Sequence, residues 1–194
     1  MENLTAKSFE IRQDILDIIY RAKTGHIGGD FSVCDILIAL YYKQMNVSPE
    51  NINDPNRDRF ILSKGHSVEV LYAVLASKGF FPKEDLKTVS QYNSKYIGHP
   101  NNKVNGIEMN SGSLGHGLSV SVGMALAGKM NKASYRVYTV MGDGELAEGS
   151  VKFENVVEEQ ENRRTRKEIG WTKRTIRSAP SSVTSTGQAA YLKP

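Results

Sequence analysis

Residues Val137–Gly149 read VYTVMGDGELAEG, and the remaining motifs make sense when set around them. Val137 to Met141 is an apolar, β-branched run that predicts a strand buried in a sheet. It stops at Gly142-Asp143-Gly144, where two glycines let the backbone turn tightly and approach a ligand without a Cβ in the way. Glu145 to Glu148 then predicts the start of a helix, whose N–H groups and positive dipole end favour an anion. Asp143 sits where a hard divalent cation could join the protein to that anion, since such ions bind through one or two carboxylates plus phosphates. The stretch predicts a seat for a metal diphosphate. GDG on its own is also an ordinary β-turn, so the weight rests on what accompanies it.

The chain has 194 residues, enough for one domain with a real core. No apolar run nears the roughly 20 residues that span a bilayer, and the polar, mixed-charge start MENLTAKSFEIRQDI predicts no secretory signal. One cysteine, Cys34, builds no disulfide framework, which suits a reducing cytoplasmic setting; among Val33, Ile36 and Leu37 it reads as a small buried hydrophobe. The net charge of +4 is uneven. Residues 1–150 hold 16 basic and 16 acidic residues, and the remaining 9 and 5 lie in the tail. With no aromatic interleaving in that tail, neither nucleic acid nor membrane is an expected partner.

Leu4 to Tyr20 carries Ile11, Ile15, Ile18 and Ile19 at helical spacing. Lys23 to Gly29, KTGHIGG, interrupts it, either as a loop presenting His26 or as a helix C-cap with an incidental histidine. Ser32 is the expected N-cap of a helix from Val33 to Lys43. Arg59 to Ser63 predicts a short buried strand ending at Lys64-Gly65-His66, and ligands gather at such carboxyl ends in α/β sheets. Val68 to Lys78 predicts a helix, and Pro82 opens another short one toward Gln91. After Gly117, LSVSVGMALA predicts a close-packed buried helix with Gly123 and Gly128 as packing residues.

All four histidines, His26, His66, His99 and His116, sit next to a glycine at an expected element boundary. Together they read as imidazoles over a common site, suited to proton transfer near neutral pH and to polar or phosphorylated substrates. Zinc is the rival use, and neither HxxxH nor a cysteine pair is present to support it.

With these residues in view, the chain resembles the N-terminal, diphosphate-binding subunit of transketolases that are split between two polypeptides. TGHIGGDFSVCDILIALYY, DRFILSKGHSVEVLYAVLASKG, IGHP, SGSLGHGLSVSVGMALAGK and YTVMGDGELAEGSV follow the family's order and spacing over residues 5–151. The resemblance implies an α/β thiamine-diphosphate-binding fold, a parallel sheet flanked by helices, over 1–151. It implies a cytoplasmic transferase of carbohydrate metabolism, of the pentose phosphate kind, moving a two-carbon ketol unit from a ketose phosphate to an aldose phosphate. Asp143 would hold Mg²⁺ or Ca²⁺, with Gly142 and Gly144 along the phosphates. Gly112, Ser113 and Leu114 would meet the cofactor, as would His66. His26, His66 and His99 would face substrate hydroxyls, His116 stands where relatives carry Gln or His, and Glu148 would join a carboxylate network between subunits. The glutamate that activates the aminopyrimidine lies in the family's next domain. A C-terminal partner subunit, and a homo- or hetero-oligomer, are therefore implied.

After Val151 the resemblance stops. The family's metal-completing asparagine is expected about 30 residues past the aspartate, whereas the last asparagine here is Asn162, 19 residues past Asp143, and the window around Lys173 has none. Residues 152–194 read as an atypical basic tail, disordered or foreign to the fold, which predicts a sheet incomplete at its C-terminal end. It also predicts an unpaired edge along Val137–Met141. Two rivals stay open: a related synthase of the 1-deoxyxylulose-5-phosphate synthase kind, and a non-catalytic fragment that keeps only an interaction surface.

Overall fold

The computed structural model describes residues 3–151 and 187–192. They divide into two compact units, one within Met1–Arg57 and Gly65–Gly112, the other within Asp58–Lys64 and Ser113–Pro194.

The first unit is helical. Helix α1 (Leu4–Ala22) starts where the Asn3 side chain accepts the N–H groups of Thr5 and Ala6, at 3.1 and 3.2 Å. It buries Ile11, Ile15 and Ile18, the stripe its spacing predicts. Lys23 closes it in the left-handed conformation. Helix α2 (Ile27–Ala39), extended by a wider turn over Leu40–Gln44, begins six residues before the expected start at Val33. Ser32 is therefore not an N-cap: it lies inside α2, with its hydroxyl donating to the Gly29 carbonyl at 2.8 Å. Glycines that read as a break are helical, and a Cβ on Gly29 would lie 2.5 Å from Ser67 Oγ. Helix α3 (Val68–Ser77) is buried along nearly its whole length. The three helices pack on one another, and a short 3₁₀ turn follows at Lys83–Thr88. Cys34 is fully buried, and desolvation pushes its thiol up to about 12, as expected of a packing residue.

The second unit is a three-stranded sheet with one helix described against it. Strands β1 (Arg59–Leu62) and β2 (Val137–Gly142) pair in parallel, Arg59 opposite Val137 and Leu62 opposite Val140. Helix α4 (His116–Met130) packs on both. At Gly117 a Cβ would stand 2.5 Å from Ser63 Cβ, so only glycine brings α4 this close to the end of β1. Two expectations about α4 fail. It is not buried all round: Leu126 and Met130 are exposed. Gly128 packs under the Tyr135 ring, where an added Cβ would stand 2.8 Å from Cζ, but Gly123 meets nothing within 4 Å among the described residues.

The unpaired edge is also corrected. Strand β3 (Gly187–Leu192) runs antiparallel along β2, with Val137 opposite Leu192 and Gly142 opposite Gly187, so the sheet is mixed. The rest of the expected tail, 152–186 and 193–194, with Asn162 and Lys173, lies outside the described residues. Among the described residues no helix is long and apolar enough to cross a membrane.

Candidate functional site

In the second unit the buried strand β2 delivers the chain to Gly142-Asp143-Gly144, and Asp143 and Gly144 emerge exposed. Gly144–Ala147 then form a single 3₁₀ turn, and helical geometry begins only at residue 149. The expected helix start at Glu145 is thus displaced, and its reason is Glu145 itself. Its side chain is 1% exposed and folds back under the turn. One carboxylate oxygen accepts the Gly115 N–H at 2.6 Å and the Ser63 hydroxyl; the other accepts the Gly142 N–H at 3.0 Å. A buried carboxylate with three donors locks the backbone on both sides of Asp143 and leaves the Asp143 carboxylate outside.

The same carboxylate fixes the start of α4. Gly115 adopts φ +84°, and a Cβ there would lie 2.5 Å from Ser150 Oγ, so both conformation and space require glycine. Ser113 and Leu114 just before it are exposed, as is His116, whose Nε2 lies 3.5 Å from Ser113 Oγ. Glu148 is exposed on extended backbone at the end of the 3₁₀ turn.

The first unit holds His26, His66, His99 and Gly112. His26 precedes α2 and His66 stands two residues ahead of α3; their rings meet edge to face with centroids 5.1 Å apart at 70°. The His99 segment is pinned by the Tyr72 hydroxyl, which bonds the carbonyls of Ile97 and His99 at 2.9 and 3.2 Å. A Cβ on Gly65 would press within 3.1 Å of Pro100 Cδ, so the loop bearing His66 and the loop bearing His99 pack closely. Gly112 has nothing within 4 Å where a side chain would project. His116 belongs to the other unit and not to this group.

Three acids that motif reading passed over are almost fully buried: Glu145, and in the first unit Asp30 and Glu69, at 0% and 2% exposure. The available signal was a lone carboxylate inside an apolar run, as in Ser67-Val68-Glu69-Val70-Leu71. Asp30 Oδ1 accepts the Val70 N–H at 3.1 Å, beside Glu69 at the start of α3. Burial pushes the Glu69 carboxyl above the ordinary range, against the opposing pull of its own backbone N–H and of His26. Among the described residues no three His, Cys, Asp or Glu are grouped so as to hold a metal ion.

With this geometry established, the comparisons fall on one family. The family described as "Transketolase, thiamine diphosphate binding domain" matches residues 5–158. The chain belongs to the transketolase family. Among its transketolase relatives, an apulose-4-phosphate transketolase subunit of Phocaeicola vulgatus is 50% identical over 151 residues, 78% of this chain and 54% of that protein. A 6-deoxy-6-sulfo-D-fructose transketolase subunit of a Clostridium species is 44% identical over 142 residues, 73% and 52% of the two chains. Among solved structures, transketolase from Campylobacter jejuni superposes with a TM-score of 0.72 at 33% identity, covering 78% of this chain and 25% of that one. The chain thus spans about half the length of the curated relatives it matches. The transketolase match runs to residue 158 and contains every candidate residue named above.

Proposed function

We propose that this chain is the diphosphate-binding half of a split transketolase, moving a two-carbon ketol unit from a ketose phosphate to an aldose phosphate with a C-terminal partner subunit. The observation that carries the reading is the turn at Asp143: an exposed carboxylate between two glycines, braced from below by Glu145, in a transketolase thiamine-diphosphate domain. Bound thiamine diphosphate supplies the nucleophilic carbon and the electron sink for breaking and making the carbon–carbon bond.

The residues present fit that group. Gly144 has nothing within 4 Å of a would-be Cβ and Gly142 nothing nearer than 3.8 Å, leaving the backbone open to phosphate. Asp143 would hold the Mg²⁺ or Ca²⁺ that accompanies the diphosphate. Gly112, Ser113, Leu114 and His66 would meet the cofactor. His26, His66 and His99 would bond substrate hydroxyls and carry protons, and Glu148 would join a carboxylate network at the subunit boundary. The two relatives' names point to sugars beyond the pentose phosphates, apulose 4-phosphate and 6-deoxy-6-sulfo-D-fructose, so the donor is a ketose bearing a terminal anion. We place the protein in the cytoplasm, where such sugars are handled.

The test mixes the chain with a C-terminal subunit of a split transketolase, thiamine diphosphate and Mg²⁺, and offers xylulose 5-phosphate, apulose 4-phosphate or pyruvate as donor. Ketol transfer from a sugar donor, requiring both subunits, is the expected result. Turnover of pyruvate alone would point to the synthase, and no turnover of any donor would point to a non-catalytic fragment.

A further inference from the structure

We propose that Tyr72 is a positioning residue whose hydroxyl sets the place of His99 and, through it, the affinity for the ketose phosphate donor; this rests on the reading of His99 as a substrate-facing residue. Tyr72 is fully buried on α3, and its hydroxyl donates to the carbonyls of Ile97 and His99 at 2.9 and 3.2 Å. Those carbonyls stand on either side of Gly98. One O–H hydrogen shared between them closes the backbone around that glycine.

The stretch has little else to shape it. Ile97 is exposed, and Gly98 meets nothing within 4 Å of a would-be Cβ among the described residues. Its ends are tied on other parts of the chain: the Tyr96 carbonyl accepts the Ser90 N–H at 2.8 Å, and the Pro100 carbonyl accepts the Ser111 N–H at 3.1 Å. Tyr72 fastens the middle to α3, the helix that follows His66, so one helix gives the His66 and His99 loops a common reference. The hydroxyl is itself held by packing of its ring. Tyr72 meets Tyr96 edge to face with centroids 5.4 Å apart at 89°, and Tyr96 leans on Phe81 at 4.9 Å. Tyr96 supplies a natural control. It belongs to the same aromatic cluster and is also buried, but its hydroxyl donates to Asp85 Oδ2 at 2.7 Å.

The test uses the full chain with a C-terminal partner subunit, thiamine diphosphate and Mg²⁺. Tyr72→Phe removes one hydrogen bond and keeps the ring, and should raise KM for xylulose 5-phosphate about fivefold with kcat within about twofold of the parent. Tyr96→Phe should leave KM within about twofold, although it loses a bond to a carboxylate. Added to His99→Ala, Tyr72→Phe should raise KM no further, because the hydroxyl reaches substrate only through His99. An equal rise in both tyrosine variants, or the full further rise in the His99→Ala background, would make the effect one of folding alone and overturn the proposal. NMR of the full chain, labelled with ¹³C at the histidine carbonyls, reads the bond itself, the His99 signal being assigned by its loss in His99→Gln. Tyr72→Phe should move that signal upfield, as for a carbonyl released from a hydrogen bond, and Tyr96→Phe should leave it in place. A His99 carbonyl indifferent to Tyr72→Phe would also overturn the proposal. If the parent protein transfers no ketol unit, the functional reading fails, while the carbonyl signal still decides whether Tyr72 holds His99.

Discussion

Glu145 and Glu69 are both buried glutamates close to candidate catalytic residues, and they are buried in opposite ways. Glu145 collects the N–H groups of Gly115 and Gly142 and the Ser63 hydroxyl, so its carboxylate replaces the water it lost with fixed donors. Glu69 Oε2 is buried with no hydrogen-bond partner among the described residues. The first arrangement shapes backbone: it holds a glycine turn so that Asp143 points outward. The second shapes charge: burial holds the Glu69 carboxyl above its ordinary range, near His26. A buried acid is thus a scaffold or an electrostatic device according to whether fixed donors meet all of its oxygens.

Replacing each glutamate by leucine breaks the comparison most sharply. Glu145→Leu strands three buried donors and should cost on the order of 4 kcal/mol, read by urea denaturation. Glu69→Leu removes a carboxyl whose Oε2 has no hydrogen-bond partner among the described residues, and should cost less, about 2 kcal/mol. Equal losses would mean that the donors around Glu145 contribute nothing special. Next in size is Gly117→Ala, whose Cβ would meet the Cα of Ser63 at 2.7 Å. Overpacking of α4 on β1 should cost about 2 kcal/mol, seen as a lower Tm.

A pH series separates the two acids further. Because the folded Glu69 carboxyl titrates above its ordinary 4.5, the native state holds more protons than the unfolded chain from 4.5 upward. Stability from this group is therefore greatest below that pH and declines as pH rises through the window, by at most about 1.4 kcal/mol per pH unit for one proton. Glu69→Gln should flatten the decline; an unchanged slope would assign it elsewhere. The smallest effect is expected at Gly28→Ala, an exposed position of α2 with nothing within 4 Å of a would-be Cβ. Stiffening the unfolded chain there should add about 0.5 kcal/mol, measurable in the same denaturation series.

What the sequence made legible was local chemistry. The β-branched run Val137–Met141 and the glycines about Asp143 state a buried strand and an abrupt turn, and both are present. The pairing of His26 with His66 could be guessed only from their similar surroundings. Long-range demands were hidden. Gly28 and Gly29 read as a helix break, yet α2 runs through them because Gly29 lets it close on Ser67. Glu145 takes two of its three donors from positions 30 and 82 residues away, so its immediate neighbours say little of its task. GQAAYL has no β-branched residue and no strand signal, but the free edge of β2 offers a row of backbone hydrogen bonds to whatever segment reaches it. Gly123 and Gly128 look alike in the sequence; only the Tyr135 ring distinguishes them.

The central claim is that the turn at Asp143 carries the metal-bound diphosphate of the cofactor. Its most direct test is calorimetric titration of thiamine diphosphate with Mg²⁺ into the chain joined to a C-terminal subunit, comparing the parent protein with Asp143→Asn. Saturable binding that weakens at least tenfold in the variant is the predicted result. Equal affinity in the two proteins would contradict the claim.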